Sequence, residues 1–239
     1  MLQCYALLIL TCTPAPLACE RQRPLPILSP SSIDPKVDGS QPDLIYDSDR
    51  QRVVLNFNLH RTGDWPHGGK NMQTTSSDFG ATWTNPIELP ASLGLRAAES
   101  GPGRALRLSR GAHKGRLIFS GWRNLQGGTP DGEVVWRSDD GGETFAAAPS
   151  FAGGYNEGQL AESNNGTVVI IFRVSAPGVQ ASHGRGLATS VDGGETFSNI
   201  TLNPGLRSVA CQVIQHTHTH THTHIHTHTH TYTHTHTHT

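Results

Sequence analysis

A glutamate and an arginine, Glu157 and Arg173, lie at the two ends of a segment that can bring their charged groups together. They are 16 residues apart (173−157), with a turn signal at residues 163–166 and an apolar run at residues 168–172 between them. A strand, turn and returning strand of this length bring its ends toward each other. The carboxylate could then accept a proton and the guanidinium could hold an anion. Taken alone, the two residues are more simply explained as a loop carboxylate and a strand-end arginine.

Eleven of the 15 histidines lie in the C-terminal tract 216–239, where His and Thr alternate. The interruptions Ile225 and Tyr232 are those that single base changes would give in a translated CACACA repeat. An extended chain would place every imidazole on one face, as a metal-binding tract requires. We interpret the tract instead as a translated microsatellite that is disordered, because it buries nothing that could offset its ordering entropy. No metal site and no cofactor are predicted.

An eight-residue pattern, Ser-x-Asp-x-Gly-x-Thr-aromatic, occurs three times, and its first serines are 62 and 52 residues apart (138−76 and 190−138). Each copy follows a strand-like run, which predicts a hairpin turn. In such a turn Asp accepts backbone hydrogen bonds, Gly supplies a positive φ, and the aromatic ring is buried between sheets. The spacing is typical of four-stranded propeller blades. The residues of the pattern are Ser76, Asp78, Gly80, Thr82, Trp83, Ser138, Asp140, Gly142, Thr144, Phe145, Ser190, Asp192, Gly194, Thr196 and Phe197.

The composition agrees with an all-β domain and excludes several classes of function. The chain has 239 residues with 26 glycines and 15 prolines, too many for long helices. A net charge of −1 without a basic stripe argues against a nucleic-acid partner. No apolar run approaches the roughly 20 residues of a membrane span. The first 18 residues are similar to a secretory signal peptide but lack its basic start, so secreted, lysosomal or endomembrane, and cytoplasmic locations all stay open.

The three copies resemble the Asp-box, or BNR, repeat, which is carried most often by sialidases with a six-bladed propeller. The resemblance implies that Asp78, Asp140 and Asp192 are structural residues on the rim away from the catalytic face. They belong to three different blades, which also argues against a shared metal site.

The segment Asn156-Glu157-Gly-Gln159-Leu-Ala-Glu162 is similar to the sialidase motif Asn-Glu-x-Gln-x-x-Glu, and Arg173 follows Glu157 at the family's interval. The resemblance implies that Glu157 is the base for a nucleophilic tyrosine and that Arg173 is one of three arginines that hold the substrate carboxylate. That carboxylate repels an anionic nucleophile, which explains the use of Tyr. The nucleophilic Tyr, the acid/base Asp and the other two arginines are not recognisable in this sequence.

The resemblance covers about residues 40–212 and divides the chain into three parts. Residues 1–39 are predicted to be a leader, residues 40–215 a sialidase-like propeller segment, and residues 216–239 the His-Thr tail. The middle part accommodates about three to four blades of a six-bladed β-propeller. This favours a chain that is truncated and catalytically incomplete.

Three hypotheses of function follow, and the pair Glu157 and Arg173 separates the first two. The first is an exo-α-sialidase-like glycosidase acting on sialylated glycoproteins, glycolipids or oligosaccharides. The second is a non-catalytic Asp-box propeller that binds carbohydrate or protein, which would have no reason to keep this pair at that spacing. Metal binding by the His-Thr tail is a third hypothesis and depends on residues 216–239 alone.

Overall fold

Three sheets of five, six and four strands, taken from the chain in consecutive order, form the body of the protein, and each is built on four antiparallel strands. Each is the blade of a β-propeller, so the chain is all-β, as the spacing of the repeated pattern predicts. In the described part of the chain, no helix is long and apolar enough to span a membrane. The computed structural model describes residues 37–61, 69–93, 98–101, 103–124, 130–148, 150–174, 184–206, 214–215 and 227–228.

The strands range from 2 to 11 residues in length, and turns or loops separate them. One 3₁₀ turn, Ala91–Leu93, follows the fourth strand. In chain order the strands are β1 (Val37–Asp47), β2 (Arg52–Arg61), β3 (Lys70–Ser76), β4 (Ile87–Glu88), β5 (Ala98–Ser100), β6 (Gly103–Arg104), β7 (Leu106–Arg107), β8 (Leu117–Asn124), β9 (Pro130–Ser138), β10 (Ala146–Ala147), β11 (Phe151–Ala152), β12 (Tyr155–Glu162), β13 (Val168–Val174), β14 (Arg185–Ser190), β15 (Thr201–Asn203), β16 (Ile214–Gln215) and β17 (Thr227–His228).

Blade order follows chain order. The first blade contains β1 to β4, the second contains β5, β8, β9 and β10, and the third contains β12 to β15. Three short strands lie beside this path: β6 pairs with β1 in parallel, β7 with β8, and β11 with β9. Because β6 follows β5 in sequence but pairs with β1, it ties the second blade's chain to the first blade.

The middle blade is covered on both faces, because its side chains alternate between two cores with the period of a strand. Leu117 and Phe119 on β8 pack in one core with Val54 of the first blade. Ile118, between them, packs in the other core with Ile170 of the third blade. Strands buried on both faces are near-continuous apolar runs in sequence, and each fully buried side chain of this size contributes about 1.5–3 kcal/mol.

The aromatic residues that close the repeated pattern are half-buried, so the prediction that they are buried was too strong. Phe145 packs edge-on against Phe119, and Phe197 against Phe151, with ring centroids 6.1 and 5.4 Å apart. Trp83 instead uses its indole nitrogen to bind the carbonyl of its own turn. Each ring follows directly after a turn at the rim of a blade, where part of it stays open to solvent.

The His-Thr tract forms at least one backbone contact. Thr227 and His228, its only described residues, make up β17 and pair antiparallel with β16. The disorder expected of the tract therefore does not include these two residues, since backbone amides of any sequence can complete a ladder. The expected disorder of the rest of the tract, and the leader up to residue 36, lie outside the described residues.

Candidate functional site

Glu157 and Arg173 are ion-paired near the open end of the hairpin formed by β12 and β13. Nη1 of Arg173 donates a hydrogen bond to Oε1 of Glu157 over 2.8 Å. The antiparallel register shifts between Asn156 and Gln159, so Glu157 and Gly158 lie in a β-bulge. Glu157 has φ 50°, in the left-handed region that non-glycine residues rarely adopt. In this bulged conformation, the carboxylate of Glu157 points toward the guanidinium of Arg173.

The ion pair is only partly open to solvent, and it leaves acceptor capacity unused. The side chain of Glu157 is 17% exposed and that of Arg173 is 27% exposed. The other carboxylate oxygen of Glu157, Oε2, is buried and has no hydrogen-bond partner among the described residues. A carboxylate held by a guanidinium on one oxygen, with the other oxygen free, can accept a proton from a group placed beside it. The guanidinium fork has further donors for an anionic ligand.

The ion pair lies at the opposite end of the third blade from its repeated-pattern turn. The β12–β13 turn occupies residues 163–167, and Val168, just after it, pairs with Ser190 at the start of that pattern. Glu157 and Arg173 lie at the other end of the same two strands, beside the register pair of Asn156 with Arg173. This is the relative placement that the sequence predicts for these residues.

The three copies of the repeated pattern fold into the same hydrogen-bonded turn. In the second copy, Ser138 donates to Oδ1 of Asp140 at 2.7 Å and accepts the amide of Gly142 at 2.7 Å. The amide and hydroxyl of Thr144 bind the two oxygens of the same aspartate at 2.9 and 2.5 Å. The first and third copies repeat these four bonds. Each aspartate is thus occupied within its own turn.

Hydrogen bonds to the ionised form lower the pKa of all three aspartates. Those from Thr82 are the main reason that the pKa of Asp78 is lowered to about 2. Partial burial of Asp140 acts in the opposite direction, but hydrogen bonds from Thr144 and the neighbouring turn outweigh it and lower its pKa to about 2. Partial burial of Asp192 also acts to raise its pKa, but hydrogen bonds from Thr196 and the neighbouring turn outweigh it, so the pKa is lowered. Each aspartate is thus stabilised as an anion by its own turn, which fits the structural role that the resemblance implies.

Side chains of one blade bind the pattern turns of the next. Nε2 of Gln73, on β3, donates to the carbonyl of Gly142 at 2.8 Å. Arg52 donates to the carbonyl of Gly141 at 2.9 Å. The turns therefore join neighbouring blades as well as closing their own hairpins.

Two carboxyl groups that sequence reasoning missed, Asp43 and Glu133, are buried in the interior. Burial raises the pKa of Asp43 to about 7, although backbone hydrogen bonds from Ser120 and Ala105 act against this. Burial also raises the pKa of Glu133 well above its ordinary value, and the negative charges of Glu157 and Asp43 add to the effect. The available signal was the position of Glu133 within a strand-like run, directly before the apolar residues 134–136, where a solvated carboxylate is unexpected.

A polar cleft of about 540 Å³ lies away from Glu157, at the end of the blades that carries the repeated turns. Its charged lining consists of three cationic side chains and two anionic ones: Arg50, Lys114, Arg116, Asp49 and Asp139. Among the described residues, no group of three or more His, Cys, Asp or Glu side chains could hold a metal ion. The cleft is therefore separate from the Glu157–Arg173 ion pair.

Two other residues of β12, one of them in the family motif, have structural partners. Glu162, at the far end of β12, accepts hydrogen bonds from the amides of Ser109 and Arg110 at 2.8 and 3.0 Å, so it anchors the third blade to the second. Tyr155 packs against Phe172, with ring centroids 5.7 Å apart. It therefore has the environment of a packing residue.

Comparison with known proteins gives consistent matches. The sequence profile of the BNR repeat-like domain matches residues 22–228. A sialidase of Micromonospora viridifaciens is 30% identical over 135 residues, which are 55% of this chain and 20% of that protein.

Solved structures share the fold at low sequence identity. A Hadza microbial sialidase superposes with a TM-score of 0.58 at 19% identity, over 76% of this chain and 37% of that one. The intramolecular trans-sialidase from Ruminococcus gnavus superposes with a TM-score of 0.61 at 13% identity, over 79% of this chain and 60% of that one. The chain thus spans less than two thirds of the length of each of these proteins.

Proposed function

The chain belongs to the BNR repeat-like family, which includes relatives of the sialidase type, and on this premise we propose that Glu157 and Arg173 form part of a sialic acid site. The ligands would be sialylated glycoproteins, glycolipids or oligosaccharides, and the reaction of a complete site would be that of an exo-α-sialidase. The observation that carries the proposal is the 2.8 Å ion pair at the blade end opposite the Asp-box turns.

The chemistry of the ligand fits the free hydrogen-bonding groups of the ion pair. Sialic acid carries a carboxylate on its anomeric carbon, and the guanidinium of Arg173 can bind it through paired, charge-assisted hydrogen bonds. Oε2 of Glu157, which has no partner among the described residues, can accept the proton of a tyrosine hydroxyl. A phenol with an ordinary pKa near 10 needs such a base to attack at neutral pH.

We further propose that this chain by itself is catalytically incomplete. The sequence contains no recognisable counterpart of the nucleophilic tyrosine, of the acid/base aspartate or of two of the three arginines. Groups that act as a unit fail together, so their loss costs several orders of magnitude in rate. The chain is then a truncated form or a piece of a sialidase that retains ligand contacts, and a binding module of the Asp-box type is the alternative.

Binding and turnover measured on the same full chain test the proposal. Binding of N-acetylneuraminic acid would be followed by ligand-observed NMR, and turnover with a fluorogenic sialoside. The variants are Arg173→Ala, Glu157→Gln and the control Arg137→Ala, which removes a half-buried arginine of the second blade beside its Asp-box turn. We expect weak binding by the unaltered chain, a loss of about tenfold or more in Arg173→Ala, and no change in the control.

Two results would contradict the proposal. Equal binding by Arg173→Ala and the unaltered chain would remove Arg173 from the site and favour the binding-module alternative. Turnover at the rate of an intact sialidase would show that other residues supply the nucleophile and acid, and the claim of an incomplete site would fail.

A further inference from the structure

Glu133 lies on β9 of the second blade, yet its carboxyl group contacts the bulge of the third blade. Its side chain is fully buried. Oε1 accepts a hydrogen bond from the backbone nitrogen of Gly158 at 3.0 Å. Gly158 directly follows Glu157 and is the second residue of the bulge. An acceptor on one blade therefore holds the backbone that carries the candidate base of the next blade.

The carbonyl of the same glycine is held as well. Ser120, on β8 of the second blade, donates its hydroxyl to the carbonyl oxygen of Gly158 at 3.0 Å. A Cβ atom at position 158 would lie 2.6 Å from Oε1 of Glu133 and 2.9 Å from Cδ1 of Ile170. Both polar groups of Gly158 are thus bound by second-blade side chains, at a separation that only glycine permits without movement of its neighbours.

We propose that Glu133 and Ser120 are positioning residues for Glu157, because they fix the bulge that aims its carboxylate at Arg173. A residue with φ 50° is held in a conformation that a strand does not favour. Without the two bonds to Gly158, the strand would relax toward a regular ladder. Side chains alternate between the two faces of a strand, so a regular ladder without the bulge would turn the side chain of Glu157 away from Arg173.

The effect of Glu133 and Ser120 on ligand binding rests on the proposed sialic acid site. Their effect on the orientation of Glu157 does not. Burial raises the pKa of Glu133 well above 4.5. Glutamine, which is uncharged and nearly isosteric with glutamate, keeps an oxygen that can accept the Gly158 amide. Leucine has a similar volume and lacks the acceptor.

Glu162 offers a matched control on the same strand as Glu157. It is also buried, and it also accepts backbone amides of the second blade. It differs in lying at the Asp-box end of β12, away from the bulge. Glu162→Leu should therefore weaken the contact between the blades without altering the orientation of Glu157.

The test uses the full chain labelled with ¹³C at the glutamate carboxyl carbon, with the Glu157 signal assigned through Glu157→Gln. In Glu133→Leu and Ser120→Ala we expect that signal to move toward the shift of a solvated carboxylate. In Glu133→Gln and Glu162→Leu it should stay in place. If Glu133→Leu does not fold, Gly158→Ala replaces it, because the added Cβ displaces the Glu133 carboxyl from the opposite side and should move the same signal. An unchanged Glu157 signal in the folded variants would overturn the inference.

Ligand binding separates this inference from the proposed function. If N-acetylneuraminic acid binds, its Kd should rise about tenfold in Glu133→Leu and less than about threefold in Glu133→Gln, as expected for one lost orienting contact. A Glu157 signal that moves in Glu133→Leu, in a chain that binds no sialic acid, would uphold the positioning role and contradict the sialic acid site. Equal loss of binding in the Leu and Gln variants would contradict the positioning role.

Discussion

The guanidinium of Arg116, in the second blade, donates to the carbonyl oxygen of Gly193 in the third Asp-box turn at 3.0 Å. The same side chain binds both oxygens of Asp139, at 2.7 and 2.9 Å, and reaches Glu195 at 3.1 Å. The hydrogen bonds that Arg116 donates to Asp139 are the main reason that the pKa of Arg116 lies above its usual value. One buried arginine therefore connects the Asp-box turns of two blades.

Replacement of this arginine should destabilise the protein. Arg116 is only 4% exposed, whereas its partners Asp139 and Glu195 are 63% and 43% exposed and can be hydrated after its loss. We expect Arg116→Met to lower the free energy of unfolding by about 2–3 kcal/mol, measured by urea denaturation. Lys70→Met, which breaks an exposed ion pair with Glu88, should change it by less than about 1 kcal/mol. Equal effects of the two substitutions would contradict the connecting role of Arg116.

The Asp-box aspartates should stabilise the fold through their turns. Asp192→Ala removes the acceptor for the amide and hydroxyl of Thr196 and for the hydroxyl of Ser190. We expect a loss of about 1–3 kcal/mol in the free energy of unfolding. Val191→Ala, in the same turn but 88% exposed, is the control and should be close to neutral. A neutral Asp192→Ala would show that the turn forms without its aspartate.

The burial of Asp43 should make the free energy of unfolding depend on pH. Its pKa of about 7 in the folded chain exceeds 3.8, so the folded state keeps a proton that the unfolded state releases. The free energy of unfolding should therefore fall as pH rises from about 4 to about 7, by on the order of 4 kcal/mol at most. Glu133 acts in the same direction.

Urea unfolding between about pH 4 and pH 8 measures this dependence. Asp43→Asn should flatten the profile and be more stable than the unaltered chain at the alkaline end. The Asp-box aspartates contribute in the opposite sense, since their lowered pKa values cost stability only as pH falls below about 4. The same slope in Asp43→Asn as in the unaltered chain would exclude Asp43 as its source.

Gly132 should not tolerate a side chain. It has φ 141°, and a Cβ there would lie 1.5 Å from the carbonyl oxygen of Phe151, on the strand that pairs with β9. Gly132→Ala should therefore lose more than about 3 kcal/mol of stability, because the paired backbone must move. Gly39→Ala, with no atom within 4 Å of the new Cβ, should be nearly neutral by thermal denaturation. A melting temperature for Gly132→Ala equal to that of Gly39→Ala would contradict this prediction.

Local interactions made the Asp-box turns and the hairpin of the candidate site predictable. Each turn is closed by bonds between residues two to four positions apart, such as those from Ser138 and Thr144 to Asp140. Residue type and spacing are sufficient for such a pattern. The approach of Glu157 to Arg173 follows in the same way from one strand, one turn and one returning strand. The family resemblance added the roles of these two residues, which stay proposals.

Contacts between blades were not predictable, because they join residues that are far apart in sequence. The hydrogen bond from the Gly158 amide to Glu133 spans 25 residues, and that from Arg116 to the Gly193 carbonyl spans 77. A sequence pattern gives the period of a strand but not which strand of the next blade packs against it. The bulge at Glu157, with its unusual φ, likewise depends on partners from the second blade. The sequence thus determined the blades and their turns, and the tertiary structure decided how blades meet, because only packing brings distant polar groups into hydrogen-bonding distance.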